Sequence, residues 1–232
     1  MIDIRLASQR GHADHGWLNS FHTFSFAEYF DPQQMGWGPL RVINDDTVSG
    51  GQGFGTHGHR DMEILSYVLD GALEHKDSMG TGSIIRPGDV QLMSAGTGVR
   101  HSEFNHSHTD PVHFLQIWIV PKFTGTKPGY QQRGFDAAGK RGRLQLIVSP
   151  DGRDDSLRIG QDAQVYAALL DGDEQVTYRA SAGRRAYVHL AQGSLTLNGK
   201  RMSAGDGAKI SDETELVLAD GKSAEVLLFD LP

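Results

Sequence analysis

An all-β protein made of two similar barrels in tandem is the fold class predicted by three features of the sequence. Short aliphatic and aromatic runs recur between turn signals, helical periods are scarce, and the two halves repeat one strand-and-turn scheme. In chain order, the run 64–69 ends at Asp70-Gly71, and the run 90–93 follows Pro87-Gly88-Asp89. Residues 113–120 alternate, with His113, Leu115, Ile117 and Ile119 on one face and Phe114, Gln116 and Trp118 on the other. The run 144–148 stops at Ser149-Pro150-Asp151-Gly152, and further runs follow at 187–190, 194–197, 215–218 and 225–231. Asn198-Gly199 predicts a type I′ hairpin, whose two central residues need positive φ.

The repeat is read from turns that match across the halves. Leu69-Asp70-Gly71 corresponds to Ala191-Gln192-Gly193, and Pro87-Gly88-Asp89 to Ala204-Gly205-Asp206. Between them, residues 121–133 carry two prolines, two glycines and no periodicity, which reads as a linker and sets the boundary between domains 1–133 and 134–232. The aromatics Trp17, Phe21, Phe24, Phe26, Tyr29 and Phe30 are expected to pack over the first barrel.

Composition removes several function classes. The chain has 232 residues, a formal charge of −7 and no cysteine. Disulfides, thiolate metal sites and cysteine nucleophiles are therefore excluded. A duplex-binding surface needs clustered Lys and Arg. The densest patch, Lys140, Arg141 and Arg143, is short and reads as a solvated loop, so no direct nucleic-acid partner is expected. No apolar run nears the ~20 residues that span a bilayer. Residues 1–5 lack the basic-then-apolar pattern of a secretory leader. A cytoplasmic protein without a membrane partner is the expectation.

The chemistry concentrates in two short segments. His57 and His59 are separated by one residue; on a strand such positions share a face, with Cα atoms about 6.6 Å apart, so both imidazoles can reach one ion. Gly58 leaves the opposite face empty. His101-Ser102-Glu103 repeats the spacing. Two facing strands of this kind offer three nitrogens and one oxygen, a donor set that suits Fe, Mn, Ni, Cu or Zn. In an octahedral ion about two positions then stay open for substrate or dioxygen. The pair in His106-Ser107-His108 lies in a polar, loop-like stretch and reads as exposed. His12, His15, His22, His75 and His189 read as structural or exposed, and His113 as a partly buried, hydrogen-bonded core residue.

The surroundings of these pairs resemble a known family. Gly51, His57, His59, Glu63 and Gly71 resemble the first cupin motif, with one extra residue before the last glycine. Gly98, His101 and Asn105 resemble the second, with Gly96 where cupins usually carry proline. The longer strings Arg10-Gly11-His12, His15-Gly16-Trp17, His22-Thr23-Phe24-Ser25-Phe26, Arg41-Val42-Ile43-Asn44-Asp45-Asp46 and Ser94-Ala95-Gly96-Thr97-Gly98 resemble the pirin family, its bacterial members above all, over nearly the whole chain.

That resemblance implies two tandem cupin barrels (double-stranded β-helices of the jelly-roll type). The N-terminal one binds metal, and the C-terminal one is degenerate, with His189 as its sole histidine. It places the ligands at His57, His59, His101 and Glu103 and leaves Glu63, which the general cupin pattern favours, outside the set. The implied ion is a divalent transition metal, Fe(II) first, with Mn, Ni, Co, Cu or Zn as alternatives. The implied activity is opening of the central ring of flavonols such as quercetin by O2; Glu103, a carboxylate at the metal, is the expected catalytic base, and a monomer is expected. The alternative implied by eukaryotic members is a metal- and redox-responsive regulatory protein that binds a protein partner.

Overall fold

The computed structural model describes all 232 residues, and strands dominate it. The chain forms two compact units. One comprises Gly11–Gly134 with Ile159–Gln161; the other comprises Met1–Arg10, Phe135–Arg158 and Asp162–Pro232. Two short segments thus lie across the boundary expected at 133/134, for local reasons. Ile2–Arg5 pairs antiparallel with Gly207–Ile210, and its alternating Ile2 and Ile4 pack on the core of the second unit. Gly160 is held in the first unit: its carbonyl accepts the Lys122 N–H at 2.7 Å and its own N–H donates to the Glu63 carboxylate.

The first unit has two sheets. A seven-stranded sheet runs in the order Gly129–Gly134, Asp89–Ser94, Glu63–Asp70, Val112–Ile119, Leu40–Val48, Leu18–His22, Gly11–Asp14. A four-stranded sheet runs Gly53–His59, Val99–Asn105, Leu73–Asp77, Gly82–Ile85. The expected linker is therefore strand over its last part. Tyr130 sits opposite Met93 and packs on the cluster of Ile64, Met93, Ala95 and Val99, while the Gln132 amide donates to the Ile84 carbonyl at 3.0 Å. Pro121 and Pro128 precede this strand and do not interrupt its ladder. Of the early aromatics, Phe24 is buried and Phe30 is exposed.

Period-two alternation gives the interior three layers. Along Glu63–Asp70, the residues Ile64, Ser66 and Val68 share a face; along Val112–Ile119, so do Phe114, Gln116 and Trp118. Val68 and Phe114 join Leu18, Val48, Leu73, Ile85 and Val112 in one apolar cluster, and Ile64 and Trp118 pack in the other with Met93 and Val99. Between the two clusters runs a buried polar belt: Ser66, Gln91 and Gln116 from the larger sheet, His75, His101 and Glu103 from the smaller. Burying this many polar groups is tolerable only if they are partnered.

The second unit is a single nine-stranded sheet around an aliphatic core that includes Val188, Leu195, Leu216 and Leu228. The Asn198-Gly199 turn joins Arg185–Leu197 to Lys200–Ser203 with φ of 47° and 76°, the conformation its sequence demanded. The Lys140 patch departs from expectation. Lys140 ends the short helix Ala137–Lys140, is buried, and places its ammonium 2.9 Å from Glu225, so burial is compensated by an ion pair rather than by solvent.

Candidate metal centre

Gly53–His59 pairs antiparallel with Val99–Asn105, which sets His57 directly opposite His101 and His59 opposite Val99. The two ligand pairs therefore lie on neighbouring strands of one sheet, not on facing strands as the spacing alone suggested. Directly opposed residues have Cβ atoms about 4.5–5.5 Å apart, which already suffices for convergence. The three rings meet with centroids 4.5 Å (His57–His101), 4.7 Å (His57–His59) and 4.9 Å (His59–His101) apart.

Each ring is prepared to give a lone pair. His57 Nδ1 donates to the Gly55 carbonyl at 2.8 Å, freeing Nε2. Burial, then the neighbouring His57, pushes the His59 imidazole down to about 4; burial, then His57 and His59, pushes His101 down to about 3. Both are neutral at pH 7. His101 Nε2 is buried without any hydrogen-bond partner. An orphaned nitrogen is costly in a protein interior, and a divalent ion among three such rings satisfies it. The residues present fit a metal.

The register shifts at a bulge between His101 and Glu103, so Glu103 pairs with Phe54 rather than with Gly55. Glu103 consequently stands in a second group, within 4.8 Å of ligand atoms of His101 and His75, rather than in the tight group of His57, His59 and His101. Its Oε1 accepts from Ser66 Oγ at 3.0 Å and its Oε2 from Gln116 Nε2 at 2.7 Å; Gln91 Nε2 in turn donates to Ser66 Oγ at 3.0 Å. Burial raises the pKa of Glu103 against the pull of His75 and Ser66. Glu63 belongs to neither group. It is fixed by Ser94 Oγ at 2.7 Å and by the Gly160 N–H.

The bulge depends on Gly53. A Cβ there would lie 2.4 Å from the Glu103 carbonyl oxygen and 2.5 Å from the Phe104 Cα, both backbone atoms that cannot turn aside. Gly53→Ala is expected to cost about 1–3 kcal/mol as an overpacking defect. For a chain of this size that is about 2–4 °C of melting temperature per kcal/mol; an unchanged thermal scan would remove Gly53 from this role.

Over the rings opens a cavity of about 600 Å³ lined by His57, His59, Glu103, Gln116, Asp46, Asn44 and the aromatic walls Phe26, Tyr29, Phe54 and Trp118. His12, His15 and His22 also line it, a placement their sequence context did not signal. Asp46, held by the Ser20 hydroxyl, is pushed up to about 7, chiefly by burial. His106 and His108 are exposed as expected, and His113 bonds Asp45 at 2.6 Å, partly buried. His75 is the residue that sequence reasoning undervalued: it is fully buried beside His101.

Two β units, the first with three converging imidazoles and a buried carboxylate beside a cavity, define a bicupin with a candidate metal centre. The pirin family pattern matches residues 3–119, and the pattern described as quercetinase C-terminal cupin domain matches residues 146–231. The chain belongs to the pirin family. It is 52% identical to the quercetin 2,3-dioxygenase of Escherichia coli strain K12, over 100% of this chain and 99% of that one. It is 42% identical to a pirin-like protein of Caulobacter vibrioides, over 99% of each. The crystal structure of the bacterial pirin YhhW from Escherichia coli in complex with nickel(II) superposes with a TM-score of 0.95 at 52% identity, covering 100% of this chain and 99% of that one.

Proposed function

We propose that the chain is a metal-dependent dioxygenase of the quercetin 2,3-dioxygenase type, which opens the central ring of a flavonol with O2. The observation that carries this reading is the orphaned His101 Nε2 at the meeting point of three imidazoles, beneath a cavity walled by aromatic rings. The relative named as a quercetin 2,3-dioxygenase, alike over the full length, supports the enzyme over the regulatory alternative.

His57, His59, His101 and Glu103 would hold the ion, and no second set of this kind exists in the C-terminal unit, whose sole histidine is His189. When bound, the ion supplies Lewis acidity that lowers the pKa of a flavonol hydroxyl. Glu103 would accept that proton; burial raises the pKa of this carboxylate, which strengthens it as a base. Cavities that bind such ligands hold about 300–1,000 Å³ and combine apolar walls with few polar anchors. The Trp118 indole N–H and the Asn44 Oδ1 are buried without partners and line this cavity, so a phenol-rich ring system can satisfy both. Asp46, protonated on a substantial fraction of molecules near pH 7, offers both a donor and an acceptor.

Three imidazoles and a carboxylate suit Fe(II), which we assign as the resident ion; the same donors admit Mn, Ni, Co, Cu or Zn. We take the enzyme to work as a cytoplasmic monomer. Metal-loaded protein with quercetin under O2 is expected to bleach the flavonol absorbance and release carbon monoxide. Absence of turnover with each of Fe, Mn, Ni, Co and Cu overturns the reading.

A further inference from the structure

We propose that Asp77 and His75 are positioning residues: a two-step hydrogen-bond relay from Asp77 through His75 fixes the tautomer of His101 and turns its Nε2 lone pair toward the metal. The proposal rests on the metal-centre reading above.

The relay lies on Leu73–Asp77, the strand next to the ligand strand, with His75 opposite Glu103 and Asp77 opposite His101. The side chains of His75 and Asp77 have no exposed surface. Asp77 Oδ2 is 3.0 Å from His75 Nε2, and His75 Nδ1 is 3.5 Å from His101 Nδ1. The remaining nitrogen of the chain, His101 Nε2, is the orphan at the centre. The Tyr130 ring stacks on His75 with centroids 4.8 Å apart and planes 29° from parallel, which holds the plane of the imidazole.

The protons in this row are determined from one end. Asp77 Oδ1 accepts the backbone N–H groups of Met79 and Thr81 at 2.8 and 3.0 Å. Its other oxygen, as part of a carboxylate, can only accept. A neutral His75 must then donate from Nε2, which leaves its Nδ1 bare. A bare Nδ1 facing His101 Nδ1 requires that His101 donate there, so the lone pair of His101 lies on Nε2. Only that tautomer can coordinate through Nε2. Partners of this kind behind a ligand are worth about 10–100-fold in metal affinity.

Asp77→Asn reverses the row without changing its shape. The amide oxygen stays on the two backbone N–H groups, so the NH2 points at His75 Nε2. His75 then accepts at Nε2 and donates from Nδ1, and His101 is driven to carry its proton on Nε2. Nickel(II) affinity, measured by titration calorimetry, is expected to fall about 10–100-fold. The 15N–1H long-range NMR spectrum of the metal-free protein is expected to show His101 protonated at Nδ1 in the wild type and at Nε2 in the variant. His75→Gln with Asp77 retained is expected to keep most of the affinity, because its amide NH2 can donate to Asp77 Oδ2 while its oxygen accepts from His101 Nδ1, and Asp77→Asn added to it is expected to remove that affinity; a merely structural role of the His75 ring gives no such pattern. His101 protonated at Nε2 in the metal-free wild type, or Asp77→Asn binding nickel as tightly as the wild type, overturns the relay. A wild type that binds no nickel overturns the metal-centre reading instead, and the wild-type NMR spectrum still decides the relay. That spectrum also decides it if the variants do not fold.

Discussion

Glu103→Gln is expected to lower quercetin turnover about 10²–10⁴-fold, the range that a positioned general base contributes, while nickel binding weakens but remains measurable. An amide cannot take the phenolic proton, yet it has the size of the carboxylate it replaces. The surrounding belt can adjust to it. Gln116 can present its Oε1 to the new NH2 group, and Ser66, which now donates to Glu103 at 3.0 Å, also lies 3.4 Å from Gln116 Oε1. The loss should therefore appear in kcat, with the fold intact. Stability separates this from a packing defect. Burial raises the pKa of Glu103 in the folded state, so its contribution to stability is full below the ordinary carboxylate pKa and is lost as pH rises through the folded value. Metal-free wild type should lose melting temperature over that interval, and metal-free Glu103→Gln should lose less. A variant with full turnover would falsify the role of Glu103 as base.

The parts of this protein visible in its sequence are those with a local period. Runs such as 64–69 and 113–120 alternate with period two, and His57/His59 and His101/Glu103 inherit their shared faces from the same rule. Non-local features are less visible. That the two ligand segments are neighbours in one sheet follows from pairing across more than forty residues, and the bulge after His101 comes from the close approach of Gly53 to Phe104. The polar belt was hidden for another reason: a single Ser66 or Gln116 in a strand reads as a solvent-facing residue. The signal was nevertheless present. Ser66 shares its face with Ile64 and Val68, and Gln116 with Phe114 and Trp118, so each must point inward among apolar neighbours. A buried polar residue of that kind requires a partner, and Glu103 is that partner. The same test applied to Leu73, His75 and Asp77 would have promoted His75 above the other non-ligand histidines.

His101→Ala is expected to abolish stoichiometric metal binding, and to do so more completely than loss of either other histidine. His101 is the residue common to both ligand groups, adjoining His57 and His59 on one side and His75 and Glu103 on the other. It is also the buried one: His57 and His59 retain partial exposure on Gly53–His59, whereas His101 is 1% exposed. Removing it severs the carboxylate from the imidazole pair and leaves two partly hydrated rings. Structural metal sites release about 10–16 kcal/mol over four ligands, so one ligand accounts for about 3–4 kcal/mol, or about 10²–10³-fold in affinity at 1.4 kcal/mol per decade. The measurement need not involve activity. An ion at 100 times its Kd stabilises the folded state by about 2.7 kcal/mol, so nickel should raise the melting temperature of the wild type and leave that of His101→Ala where it was. The opposite result, an equal nickel-induced rise in both proteins, would place the ion on His57 and His59 alone and remove His101 from the centre.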